Sequence, residues 1–325
     1  MEITYLGREH VIELGVTMAD VLDVVENAFR AKGLGEAEMP PKPGVHPRPD
    51  CFLHAMPAYV RGADVAGLKW VSGYPTNPAR GLPYVGGLLV LNDAETGLPV
   101  AIMEAGWITA MRTGASVGVA AKYLARRESS VAAIVGCGVQ NRASLAALVE
   151  ILPQLSEVRC YDVRDEAVNR FVAEMRAAYP QLTFVTCSRA AEAVRLADVA
   201  VTAVPIVVHP HPELDAGVLP VGALAVALDY DAAWSAAAVD ACDKLCCDDV
   251  EQFLATRARG EHFTNLSKPP SADLSDVIVG RQPGREGPSE RIFAVNMGIA
   301  VEDILTAQVL YDRAHAAGIG VKLGL

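Results

Sequence analysis

The chain has 325 residues, 51% apolar but only 6% aromatic, with a formal net charge of -11 at pH 7. It is long enough for two domains around a sizeable core, and its Ala- and Val-rich usage excludes a disordered or disulfide-stapled chain. The acidic balance argues against nucleic acid and anionic membrane surfaces, which leaves a small molecule as the expected partner.

In chain order, Thr17-Met-Ala-Asp20 reads as a capping box, and Val21, Leu22, Val25, Ala28 and Phe29 recur at helical spacing until Gly33. A Pro-rich loop occupies residues 39–49. Short apolar runs follow at 52–56, 65–72, 87–91 and 99–103, with a hairpin turn at Asn92-Asp93 and Glu95-Thr-Gly97, so a mostly antiparallel sheet is expected. A small-residue helix is predicted over 109–125. Strands at 131–135, 158–162, 183–187, 199–204, 223–229 and 245–248 then alternate with helices at 139–151, 165–178 and 190–196. Near-continuous apolar strands in repeated βα units imply a doubly wound parallel sheet covered on both faces. Residues 281–290 form a charged Gly/Pro-rich loop, 296–317 a long amphipathic helix, and 319–325 a tail able to add a strand. The last segment is expected to return to the N-terminal module.

The stretch Val131-Ala-Ala-Ile-Val135 followed by Gly136-Cys137-Gly138-Val139-Gln140-Asn141 carries the most chemistry. A buried strand breaks into a turn and a helix, where Gly136 allows the tight bend and Gly138 lets backbone N–H groups approach a pyrophosphate. Asp162 lies about 20 to 25 residues downstream, where a carboxylate accepts the ribose hydroxyls of NAD and repels the extra phosphate of NADP. Arg164 complicates that preference, since a guanidinium can pair with the phosphate. The bland alternative is an ordinary strand-turn-helix, and Asn141 departs from the small residue usual at the third glycine position.

The seven cysteines are odd in number and mostly sit in apolar, strand-like contexts. Cys242, Cys246 and Cys247 lack paired metal-site spacing, so reduced core thiols and no metal are expected. No basic-then-apolar leader and no apolar run near the ~18 residues of a bilayer span is visible, which predicts a cytoplasmic protein.

Ahead of the glycine turn lie Met56-Pro57, Lys69-Trp-Val-Ser72, Pro75-Thr-Asn77, Arg80-Gly81, Asn92-Asp93-x-x-Thr96-Gly97 and Thr109-Ala-Met-Arg112-Thr113. This series, running into Gly136-Cys-Gly138-Val-Gln140, resembles the ornithine cyclodeaminase/mu-crystallin family, which also holds archaeal-type alanine dehydrogenases and ketimine reductases. The likeness extends over about 39–317. It implies an NAD-dependent oxidoreductase acting between an L-amino acid and its imine, with a cyclodeaminase or a non-catalytic binder as the other classes, and a homodimer formed by the N-terminal sheet.

Residue chemistry supports the same positions. Removing a hydride from Cα needs a clamped carboxylate and a neutral amine. Arg112, among apolar neighbours on the helix leading into the nucleotide fold, can grip a carboxylate with both arms of its guanidinium at the cleft between modules, or be a surface helix arginine. Lys69 is either a strand lysine facing water or, as the resemblance implies, the group that neutralises the substrate carboxylate; burial beside Arg112 would lower its pKa. Lys42 and Arg48 are candidates for a further carboxylate contact, Lys42 favoured by its place after Pro40-Pro41. Asp229, at the carboxyl end of its strand, resembles the catalytic aspartate, with Asp231 its competitor and a capping role the plain alternative. Thr202 is expected near the nicotinamide ribose. Together with Thr113, Gly136, Gly138, Val139, Gln140, Asp162 and Arg164 it completes the expected cofactor set.

One departure bears on the reaction. Ornithine cyclodeaminases place a glutamate two residues before Met-Pro, where this chain has His54. An imidazole is a poorer partner for an ammonium. His54 either meets a substrate carbonyl, hydroxyl or second carboxylate, or is simply a strand histidine. The fold expected is α/β, with a Rossmann-type domain over 126–296 and a smaller α+β substrate-binding and dimerisation domain from 1–125 plus 297–325.

Overall fold

The computed structural model describes residues 2–325, and the chain divides into two compact units, Met1–Arg112 with Ile299–Leu325, and Thr113–Gly298. The first unit is built on a sheet whose strands run in the order Val321–Gly324, Glu2–Leu6, Pro99–Glu104, Val85–Asp93, Val65–Gly73, Phe52–Val60 and Ala37–Glu38, with Gly44–Val45 also paired to Phe52–Val60. All pairs are antiparallel except Glu2–Leu6 with Pro99–Glu104. The turn after Val85–Asp93 closes because Asp93 Oδ1 accepts from Thr96 N at 2.7 Å while Gly97 takes a φ of +74°. Helix Met18–Gly33 starts on the expected capping box, Thr17 Oγ1 accepting from Asp20 N at 3.2 Å and Asp20 Oδ2 from Thr17 N at 2.8 Å.

Helix Ala300–Ala317 packs on Phe52–Val60, Val65–Gly73 and Met18–Gly33. A Cβ at Gly67 would lie 2.8 Å from Ile304 Cδ1 and 2.5 Å from Val90 O, so only glycine lets helix and strand approach this closely. Across the strands, Met56, Lys69, Leu89 and Met103 form one row on the covered face, and all four are buried. The opposite face carries the pair Trp70 and Leu88, 42% and 49% exposed.

The second unit is a parallel sheet in the order Thr183–Thr186, Glu157–Tyr161, Val131–Val135, Val199–Thr202, Leu224–Ala227, Ile292–Val295, Lys244–Cys247, Ala272–Asp273. Its central strands are buried on both faces, as the apolar runs VAVT, LAVA and IFAV require. The strand order reverses between Val131–Val135 and Val199–Thr202, which makes this the Rossmann-type switch point where such sheets bind ligands. All seven cysteines are unpaired and buried; burial pushes the Cys242 thiol up to about 11 and that of Cys246 to about 12. Among the described residues no helix is long and apolar enough to cross a membrane.

Several elements differ from the sequence reading. The helix placed at 109–125 is Ala105–Leu124, because the Glu104 carboxylate accepts from Gly106 N at 2.5 Å and Trp107 N at 3.1 Å and so caps it a turn early. The helix placed at 296–317 begins only at Ala300. Strand Ile292–Val295 precedes it, the ladder runs on through Asn296 N donating to Ala227 O at 3.0 Å, and Gly298 at φ +84° holds the chain out of helix. Strand Glu2–Leu6 and helix Arg8–Glu13 carry too few periodic residues to have been read, yet Glu2–Leu6 is what the C-terminal strand pairs with.

Candidate active site

In the first unit the cation pair expected from the sequence is assembled and buried. Lys69 projects from Val65–Gly73 with no exposed surface, and Arg112 comes from helix Ala105–Leu124. Both meet carboxylates that the sequence reading did not single out. Lys69 Nζ donates to Asp303 Oδ1 at 2.7 Å; Arg112 donates to Glu302 Oε2 at 3.0 Å, and its Nε stands 3.0 Å from Asp303 Oδ1. Desolvation lowers the Lys69 ammonium to about 7, Arg112 adds to the fall, and Asp303 opposes it. A lysine titrating near neutrality is suited to acid–base work.

Lys42 is also buried and is felt electrostatically by Lys69, so it belongs to the same cluster. Arg48 does not: it is exposed, and its guanidinium donates to Pro47 O at 2.8 Å. His54 stands opposite Val71 on the face that carries Lys69, half-buried and stacked on Phe52 with centroids 4.4 Å apart. A Cβ on Gly44 would meet the His54 ring at 2.3 Å, so the ring lies flush against a glycine backbone.

In the second unit, Gly136 takes φ +89° and a Cβ there would fall 2.5 Å from Ala203 O, so the turn requires glycine. A Cβ on Gly138 would meet nothing within 4 Å, which leaves the mouth of the turn clear. Gly138 is also the N-cap of helix Val139–Ile151 and supplies no side-chain cap, so the first N–H groups remain available to an anion. Val139 is exposed there, and the side-chain oxygens Gln140 Oε1 and Thr113 Oγ1 are buried without a hydrogen-bond partner in the protein. Asp162 Oδ2 accepts from Cys137 N at 2.8 Å and Oδ1 from Arg164 N at 3.0 Å, so the carboxylate is fixed against the turn. The Asn141 amide donates to Val135 O at 3.0 Å and Gly136 O at 2.7 Å, which explains the departure at the third position: here a side chain braces the turn.

Asp229, just beyond Leu224–Ala227, is fully buried. Its Oδ1 accepts from Thr202 Oγ1 at 2.9 Å and its Oδ2 from Val204 N at 3.1 Å. Burial raises the carboxyl to about 7 against both hydrogen bonds. Asp231, the competitor, is engaged elsewhere: it pairs with His262 Nδ1 at 2.8 Å and accepts from Phe263 N at 2.7 Å. Thr202 therefore contacts Asp229 directly, a relation the sequence reading did not foresee.

Known proteins resemble this chain over nearly its whole length. The alanine dehydrogenase of Archaeoglobus fulgidus is 36% identical over 99% of this chain and 98% of its own length. Among solved structures, an archaeal alanine dehydrogenase dimer with bound NAD matches with TM-score 0.88 at 35% identity over the whole of both chains. Delta(1)-pyrroline-2-carboxylate reductase of Thermococcus litoralis, in complex with NADH and L-proline, matches with TM-score 0.89 at 30% identity, covering 98% of this chain and 99% of its own. These relatives are dehydrogenases and reductases that share this α/β fold. Residues 4–318 match the ornithine cyclodeaminase/mu-crystallin family, and the chain belongs to it.

Proposed function

We propose that the protein is an NAD-dependent oxidoreductase that interconverts a small L-amino acid and its imine or keto acid. The observation that carries this reading is the buried cluster in which Lys42, Lys69 and Arg112 outnumber the carboxylates Glu302 and Asp303, so that a substrate carboxylate completes the charge balance. The glycine turn with Asp162 fits a dinucleotide: an uncapped helix start for the pyrophosphate, an open Gly138, and a carboxylate positioned for ribose hydroxyls. Thr113, Val139, Gln140, Arg164 and Thr202 complete the proposed contacts. Bound nicotinamide supplies or takes up the hydride exchanged with the substrate Cα.

The chain's own groups do the rest. Arg112 and Lys69 hold the carboxylate, with Lys42 adding charge, and the row Met56, Leu89 and Met103 excludes water around the lysine. Asp229, titrating near 7, accepts a proton from the substrate ammonium, releases it to solvent, and as a carboxylate again takes a proton from the water that adds to the iminium. Thr202 fixes its orientation. The unit Thr113–Gly298 is assigned the nucleotide and the other unit the substrate and self-association. A homodimer is proposed through the sheet face bearing Trp70 and Leu88, in keeping with the dimeric alanine dehydrogenase relative. Seven unpaired, buried thiols fit a reducing cytoplasm.

The test is to incubate purified protein with NAD or NADH and a panel of amino acids, keto acids with ammonium, and cyclic imines, following the reduced cofactor and ammonia. Stoichiometric cofactor consumption with one member is expected. Ammonia release with no net change in cofactor would replace this reading with a cyclodeaminase.

A further inference from the structure

Three cations and two carboxylates cluster in the first unit: Lys42, Lys69 and Arg112 with Glu302 and Asp303, all buried. The neighbouring strands frame Lys69 differently. Phe52–Val60 contributes His54 to this face, whereas Val85–Asp93 contributes Gly87, Leu89 and Leu91. Glu302 and Asp303 come from the first turn of the helix packed over the sheet. Within the cluster one atom is common to both halves of the clamp. Asp303 Oδ1 lies 2.7 Å from Lys69 Nζ and 3.0 Å from Arg112 Nε, while Oδ2 is buried with no hydrogen-bond partner in the protein.

We infer that Asp303 is a positioning residue of the carboxylate clamp, holding the Lys69 ammonium beside the Arg112 guanidinium and keeping that lysine charged to receive an anion. This rests on the oxidoreductase reading and deepens it. The charge count supports it: with all three cations protonated, three positive charges against two negative leave one, the complement of a single carboxylate. With Lys69 neutral the cluster balances and offers an anion no net attraction. Burial and Arg112 push the lysine toward the neutral state, and the Asp303 charge is the force that opposes them. A bound carboxylate acts in the same sense as Asp303, so substrate binding above neutrality takes up a proton at Lys69. The shared oxygen also restrains a flexible four-carbon stem that would otherwise sample many rotamers.

The experiment measures pyruvate binding to the full-length protein by calorimetry, with NADH present and ammonium absent, across pH and in two buffers of different ionisation enthalpy. For the parent, affinity should fall as pH rises through about 7, with proton uptake on binding. Asp303→Asn should weaken binding about tenfold near neutrality and move the fall-off at least about one pH unit lower. Asp303→Glu should keep the parental fall-off while losing affinity through the longer side chain. An Asp303→Asn protein with the parental fall-off, however unstable, overturns the positioning role alone. If Asp303→Asn does not fold, an Asp303→Glu protein of undiminished affinity overturns it equally. A parent that binds neither pyruvate nor any other carboxylate of the panel overturns both this inference and the oxidoreductase reading.

Discussion

Thr202 Oγ1 stands 2.9 Å from Asp229 Oδ1 and accepts the indole N–H of Trp234 at 3.2 Å. Because the indole can only donate, it occupies a lone pair of the hydroxyl and directs the hydroxyl hydrogen at the carboxylate. That bond and the one from Val204 N favour the ionised aspartate, yet desolvation outweighs them and the carboxyl titrates near 7.

The stability consequence has a definite sign. Between its ordinary value of 3.8 and about 7, the folded protein binds more protons at Asp229 than the unfolded chain does. The contribution of this group is thus fully present below 3.8 and lost as pH rises to about 7. Asp229→Asn does not titrate, so its stability relative to the parent should improve by up to about 1.4 kcal/mol per pH unit across that window while turnover is abolished. Denaturant unfolding of both proteins at about pH 5 and about pH 8 checks this; a stability difference identical at the two pH values contradicts it.

Asp162 should set the preference for NADH over NADPH. Its carboxylate also accepts from Cys137 N, so Asp162→Ala is expected to weaken both nucleotides, but to weaken NADH more and narrow the ratio about tenfold or more. Arg164, freed from its 3.6 Å contact with Asp162, would then be available to a 2′-phosphate. Fluorescence titration with the two reduced nucleotides reads the ratio directly, and an unaltered ratio removes Asp162 from the ribose site.

Ornithine should be a poor substrate for conversion to proline. Cyclisation needs the distal amine held unprotonated near Cα, and His54, stacked on Phe52, supplies no carboxylate to hold a diamine. Introducing His54→Glu should raise proline formation from L-ornithine with catalytic NAD about tenfold or more over the parent. Robust turnover by the parent would count against this account of His54.

The exposed pair Trp70 and Leu88 should lie in a dimer interface. Leu88→Lys places a charge in the middle of that face, and light scattering should then report half the parental mass. A parent that is monomeric at every concentration refutes the proposed assembly.

What the sequence disclosed was what is local. Gly136, Gly138 and Asp162 lie within one strand-turn-helix-strand unit, and a backbone that must bend there has few residue types to choose from. Lys69 and Arg112 were readable because a cation among apolar neighbours is costly without a partner. Their protein partners were not, since Lys69 and Asp303 are 234 residues apart. Glu302 and Asp303 also pass for ordinary acids in the first turn of a helix, where the dipole favours them. The available signal was that they are adjacent within Ala300-Val-Glu-Asp-Ile304, a run whose remaining residues are all apolar. The link between Thr202 and Asp229 is likewise a product of parallel pairing between Val199–Thr202 and Leu224–Ala227, which brings together the ends of two strands.

Asn141 carries a consequence for kinetics of association. Because its amide latches onto Val135 O and Gly136 O from within the chain, the glycine turn holds its shape by itself. Preorganisation of this kind removes most of the ordering entropy that a flexible loop loses on complex formation, so capture of the nucleotide should approach rigid-body docking. Asn141→Ala should accordingly slow the association rate, weaken nucleotide affinity with it, and increase amide hydrogen exchange at Cys137.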